Sequence, residues 1–168
     1  MARISGRIVT QLVAAGIALS VGVAVYLLDR QTDSVYFLAR WIAPAEETYS
    51  SFGVLGNHLP TFVHVYAFIL LTAVLAAASR AHAIAICLLW LGIDSLFEFA
   101  QMPVIARRIA GSIPDWFSGI PFLENTSAYF LAGTFDLLDL CSIAAGALAA
   151  YVTIVISNRR TLNHASAV

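Results

Sequence analysis

Four long apolar runs constrain this chain more than anything else in it. They cover 8–28, 61–79, 82–100 and 137–157, and each is almost free of charge. A helix needs about 20 such residues to cross a hydrocarbon core of about 30 Å, and each run reaches or approaches that length. The expected fold is therefore all-α: an integral membrane four-helix bundle forming a single membrane domain over 1–168. The outer loops would span 29–60 and 101–136. Composition agrees, with 60% hydrophobic and 11% charged residues, against about 45–50% and about 25% in soluble domains. A net charge of −1 gives no reason to expect a nucleic-acid partner; the expected partner is the lipid bilayer. Arg3 and Arg7 precede the first run as they would in a signal peptide. That run exceeds the roughly 7–15 apolar residues of a signal core, so an uncleaved helix is expected.

Four spans put both termini on one side of the membrane. Arg3, Arg7, Arg80, Arg159 and Arg160 collect there, and Arg30, Arg40, Arg107 and Arg108 collect on the other side. The first group crowds into short tails and a tight turn, where the positive-inside rule weighs most, so both termini are expected in the cytoplasm. None of the ten acidic residues falls on that side. The outer loops differ in character. Residues 36–42 form an amphipathic stretch that would lie at the interface, with Tyr36 and Trp41 at headgroup level. Residues 101–136 are rich in aromatics, Gly and Pro. A loop this long is expected to have a role, either dipping into the outer leaflet as an interfacial or re-entrant segment or capping the bundle.

The polar residues in the last two spans suggest where chemistry would lie. Asp94, Glu98 and Gln101 are spaced by four and three residues, which sets them on one helix face. Asp136 and Asp139 open the fourth span, where the helix dipole favours anions. Sequential antiparallel spans would bring these faces together in an acidic, outward-facing pocket. Ionisable groups at mid-membrane cost about 2.5–3.5 kcal/mol, so they are expected to share shelter. Asp94 lies about 9 Å in from the outer end at about 1.5 Å per residue. It is expected to be protonated, hydrogen-bonded across helices, or in contact with a wet cavity.

The candidate binding residues are Asp94, Glu98, Gln101, Arg107, Arg108, Asp136 and Asp139. The candidate catalytic residues, as general base or ligand, are Glu98, Asp136 and Asp139. Arg107 and Arg108 have two possible roles, neutralising the acids or meeting a phosphate. His58 and His64 lie at similar depth and could add nitrogen donors, but no metal-binding spacing appears. Neither a metal nor a cofactor is expected. Cys87 and Cys141 each lie near the start of spans that run in opposite directions, so they fall near opposite membrane faces, beyond disulfide reach, and read as packing residues. Two stripes of small residues, Ser142–Gly146–Ala150 and Gly16–Ser20–Ala24, would allow close helix packing.

The segment "SLFEFAQ" resembles the Glu-x-x-Gln signature of VanZ-like membrane proteins, and "GTFDLLDLCSIAAG" resembles the signature that opens their last helix. The matching positions are Glu98, Gln101, Gly133, Asp136, Asp139 and Gly146, within a likeness that covers about residues 55–155. Thr134 and Ile143 stand where the pattern has Arg and Asn, and Arg107 or Arg108 could replace that Arg in space. The resemblance implies a small bacterial inner-membrane protein of the cell envelope, of a type some of whose members are associated with glycopeptide resistance. The expected function is binding, or helping to handle, an envelope lipid or lipid-linked cell-wall component. One alternative is a membrane enzyme, such as a metal-assisted hydrolase or transferase, using Glu98, Asp136 or Asp139. Another is a structural subunit whose small-residue stripes pack against a membrane partner or a second copy of the chain.

Overall fold

A computed structural model describes residues 2–29, 52–121 and 123–166. These residues form six α-helices and no strand: α1 (Ala2–Asp29), α2 (Gly53–Leu75), α3 (Arg80–Ala100), α4 (Pro103–Ala110), α5 (Thr126–Ala132) and α6 (Leu137–Ser166). Two short 3-10 turns, Asp115–Phe117 and Leu123–Asn125, lie between α4 and α5. Four segments are long and apolar enough to cross a membrane: Gly6–Leu28, Gly53–Leu75, Ala81–Ala100 and Leu137–Asn158. These features are those of a multi-pass membrane protein. The amphipathic stretch expected over 36–42 lies outside the described residues.

The long helices pack around α2, which touches α1, α3 and α6. Its Val65, Ala67, Ile69, Leu70 and Ala73 interlock with Ile143, Ala147, Ala150 and Ile154 of α6. Aliphatic side chains such as Val13, Ile17, Leu88 and Leu96 point outward, as expected of a surface facing lipid. In such a solvent, close packing and interhelical hydrogen bonds hold helices together. Gly146 shows the first effect: a Cβ there would lie 2.7 Å from the Phe62 carbonyl oxygen of α2. The second recurs along the bundle. Gln11 Nε2 donates to Ser157 Oγ at 2.9 Å, Tyr66 and Thr153 hydroxyls meet at 3.1 Å, and Trp90 Nε1 donates to Thr72 Oγ1 at 3.0 Å. These pairings make α1 and α3 antiparallel to α2 and α6. Arg7, close to Ala78 O at 3.5 Å, places the start of α1 beside the α2–α3 turn.

Several boundaries differ from the expectation. The second span begins at Gly53 instead of residue 61 and runs through Pro60. Proline removes one backbone donor, and the bundle accommodates that loss with Pro60 buried. The same helix stops at Leu75 rather than 79 because Ala77 takes a left-handed conformation (φ 46°). Ser79 then caps α3, accepting from His82 N at 3.3 Å. The last helix continues to Ser166 instead of ending at 157. The segment 101–136 holds two helices, and α4 packs on α5.

The small-residue stripes also separate. Gly146 and Ala150 are consumed inside the bundle, whereas Gly16 and Ser20 are exposed and a Cβ on Gly16 would meet nothing within 4 Å. In α1 it is Gly22 that packs: a Cβ there would stand 3.1 Å from Val63 Cγ1. Cys87 is buried, but Cys141 is exposed instead of packed.

Candidate functional site

The Glu98 carboxylate of α3 and the opening of α6 meet at the end of the bundle away from the α2–α3 turn. Asp136 immediately precedes α6, and its Oδ1 accepts from Leu138 N at 2.8 Å, satisfying one of the orphan donors of a helix start. Glu98, only 6% exposed, reaches across from α3, and its Oε1 accepts from Asp136 N at 2.5 Å. Two carboxylates thus face the positive end of the α6 dipole, which favours them there.

Asp139 turns the other way, toward α2. Its Oδ1 accepts from Thr61 Oγ1 at 3.1 Å and lies 3.1 Å from His58 Nδ1. His58 and Thr61 are three residues apart, so one face of α2 presents both. The other nitrogen of His58 lies 3.9 Å from Asp136 Oδ2. His58, Asp136, Asp139 and Glu98 therefore form one polar cluster from three helices. Sequence reasoning placed His58 only as a weak metal candidate and missed Thr61, although the three-residue spacing from His58 was visible.

Asp94 does not join this cluster. It lies toward α2, with Oδ1 3.5 Å from His64 Nδ1, while its Oδ2 is enclosed and has no hydrogen-bond partner. The His64 ring meets Phe68 edge-on at a centroid distance of 4.4 Å. Gln101 belongs to a third setting. Its amide donates to the Tyr129 hydroxyl at 3.4 Å, and its side chain lies across Gly133, where a Cβ would stand 2.6 Å from Gln101 Oε1. Only glycine leaves that side chain in place. Partial burial is the largest influence on the Tyr129 phenol and raises its pKa, against a smaller lowering by the Gln101 amide.

Arg107 and Arg108 occupy the last turn of α4 and are exposed. Neither forms an ion pair with an acid among the described residues, so the expected neutralisation of the acidic cluster is not seen; each of the three salt bridges found there involves a histidine. Beside them the surface opens into a groove of about 530 Å³, lined by Met102, Pro103, Val104, Ile105, Gly133, Thr134 and Phe135. Its lining is almost wholly apolar. Thr134, one of the two departures from the VanZ-like pattern, forms part of this wall, and Ile143, the other, is buried in the core.

The positions carrying the resemblance thus fall into two contacts between α3 and the approach to α6 (Glu98 with Asp136, Gln101 with Gly133) and two between α6 and α2 (Asp139 and Gly146). Among the described residues, no group of three or more His, Cys, Asp or Glu side chains is arranged to hold a metal ion. Comparison with protein-family models, curated proteins and solved structures returns no match for this chain.

Proposed function

We propose that this chain is a small VanZ-like protein of the bacterial inner membrane, with both termini in the cytoplasm. Its outer end binds an envelope lipid or lipid-linked cell-wall component, or assists in its handling. The observation that carries the reading is the apolar groove between the start of α4 and residues 133–135. It opens beside the residues where α3 and α6 exchange polar contacts, so one end of an amphiphile would lie against apolar walls while its polar part stays among polar groups. Sites for amphiphiles combine these two surfaces, mostly apolar with a few placed polar groups.

The test is native mass spectrometry of the full chain released from lipid nanodiscs. The wild type is expected to retain a two-chain lipid, and Ile105→Asp, which puts a charge in the groove wall, to lose it. Equal retention by both proteins would overturn the reading.

The contact between His58 and Asp139 favours a second reading, a membrane enzyme. A carboxylate on Nδ1 fixes the imidazole and leaves its other nitrogen to exchange protons. Under that reading Asp139→Asn and His58→Ala would abolish turnover of a lipid-linked substrate without releasing it. Loss of binding in both variants would count against catalysis.

A further inference from the structure

The groove has a charged neighbour on the same helix. Val104, Arg107 and Arg108 are spaced by three and four residues, which stacks them on one face of α4. Val104 and Ile105 line the groove, and the guanidinium groups rise from the next turn, about 5 Å along the helix axis. The α4 sequence, PVIARRIA, buries Ala106 and leaves Val104, Ile105, Arg107 and Arg108 exposed. No acid among the described residues pairs with either arginine, and Glu98, Asp136, Asp139 and Asp94 are committed elsewhere, to Asp136 N, Leu138 N, Thr61 and the histidines.

Part of this arrangement has an ordinary cause: cations at the last turn of a helix are favoured by its dipole. The dipole does not account for their alignment with an apolar groove, nor for two adjacent guanidinium groups that pair with no acid among the described residues. Guanidinium binds phosphate oxygens through paired, charge-assisted hydrogen bonds, and two of them can hold one phosphate.

We infer that the ligand of this groove is a phosphate-headed amphiphile, its apolar chain lying against Val104, Ile105 and Phe135 and its phosphate held by Arg107 and Arg108. The inference rests on the groove reading proposed above and adds the chemical class of the headgroup.

The experiment compares phosphatidic acid with diacylglycerol of identical chains, in nanodiscs carrying the full-length protein, with retention read by native mass spectrometry. Wild type is expected to prefer phosphatidic acid by about tenfold or more, equivalent to about 1.4 kcal/mol. In R107Q/R108Q the preference should vanish while diacylglycerol is retained as in wild type, a result that also shows the variant is folded. Ile105→Asp should lower retention of both lipids. Equal retention of the two lipids by wild type would overturn the headgroup assignment and leave the groove reading standing. No retention of either lipid would overturn both. A third arm adds inorganic phosphate without lipid. Binding of that ion as tight as binding of phosphatidic acid would show that the chain contributes nothing, and the lipid assignment would fall.

Discussion

The Glu98 carboxylate of α3 lies 2.5 Å from the backbone nitrogen of Asp136, closing the start of α6 from a neighbouring helix. The acceptor is buried, at 6% exposure, and the donor is one that α6 cannot satisfy within itself. Its two contributions, an accepted hydrogen bond and a charge at a helix start, can be separated. Glu98→Ala removes both and should cost about 1–3 kcal/mol, the penalty for an unpaired buried donor. Glu98→Gln keeps an acceptor and should cost only the interaction of charge with dipole, about 0.3–1 kcal/mol. Thermal unfolding in nanodiscs measures the difference; equal losses would mean that the charge alone matters.

Gly146 and Gly16 make a matched pair for testing where close packing is used. A methyl group on Gly146 would meet a backbone oxygen of α2 at 2.7 Å, and that atom cannot swing aside. Gly146→Ala should therefore destabilise by about 1–3 kcal/mol, as overpacking does. Gly16→Ala meets empty space. It should instead stabilise α1 by up to about 1 kcal/mol, the difference in helix propensity. The readout is the unfolding midpoint of each variant. A large cost at Gly16 would reveal a partner helix against that face.

The contrast between these glycines shows what the sequence made readable. The four long helices were legible because about twenty uncharged residues in a row have few other uses. Their ends were less so. Pro60 resembled a boundary, yet α2 passes through it, and the turn at Ala77 sits in a run of alanines with no Gly or Asn to announce φ above zero. The meeting of Glu98 with the start of α6 followed from spacing and antiparallel order. The partners of Asp139 and Asp94 did not, because they depend on the rotation of α2 about its own axis, and in a helix apolar on nearly every face no amphipathic stripe fixes that rotation. Equal small-residue spacing in α1 and α6 likewise could not say which stripe faces inward.

His58 and Asp139, 3.1 Å apart and both largely sheltered, should be energetically coupled. A double-mutant cycle with His58→Ala and Asp139→Asn is expected to give a coupling near 0.6 kcal/mol, and below about 1.7 kcal/mol, the range of interhelical hydrogen bonds in membranes. Thr61→Val should remove a further share of the Asp139 contribution, since its hydroxyl donates to the same oxygen. Strict additivity of His58→Ala and Asp139→Asn would mean that the contact carries no energy.

Asp94 is the group with the least return on its burial. One of its oxygens is enclosed without a partner and the other faces His64 at 3.5 Å, long for a hydrogen bond. An ionisable side chain within a span costs about 2.5–3.5 kcal/mol at the centre and less toward the surface. Asp94→Leu is therefore expected to stabilise the fold by on the order of 1 kcal/mol, read as a higher unfolding midpoint, leaving His64 with no partner to lose beyond a weak contact. If the substitution lowers stability instead, the pairing with His64 is worth more than its distance suggests.

Tyr129 supplies a prediction in pH. Partial burial is the largest cause raising its phenol above the ordinary value of 10.0; the Gln101 amide lowers it, and nearby Tyr26, Glu98 and Asp94 raise it. Because the folded value lies above the unfolded one, the contribution to stability is fully present below the ordinary value and is lost as pH rises through the folded value. Ultraviolet titration of tyrosinate should show one late-ionising phenol that Tyr129→Phe abolishes. Replacing Gln101 with Leu removes the hydrogen bond that favours the phenolate, so it should move that transition to still higher pH. A shift downward in Gln101→Leu would show that the amide instead accepts from the phenol, reversing the donor assigned to this contact.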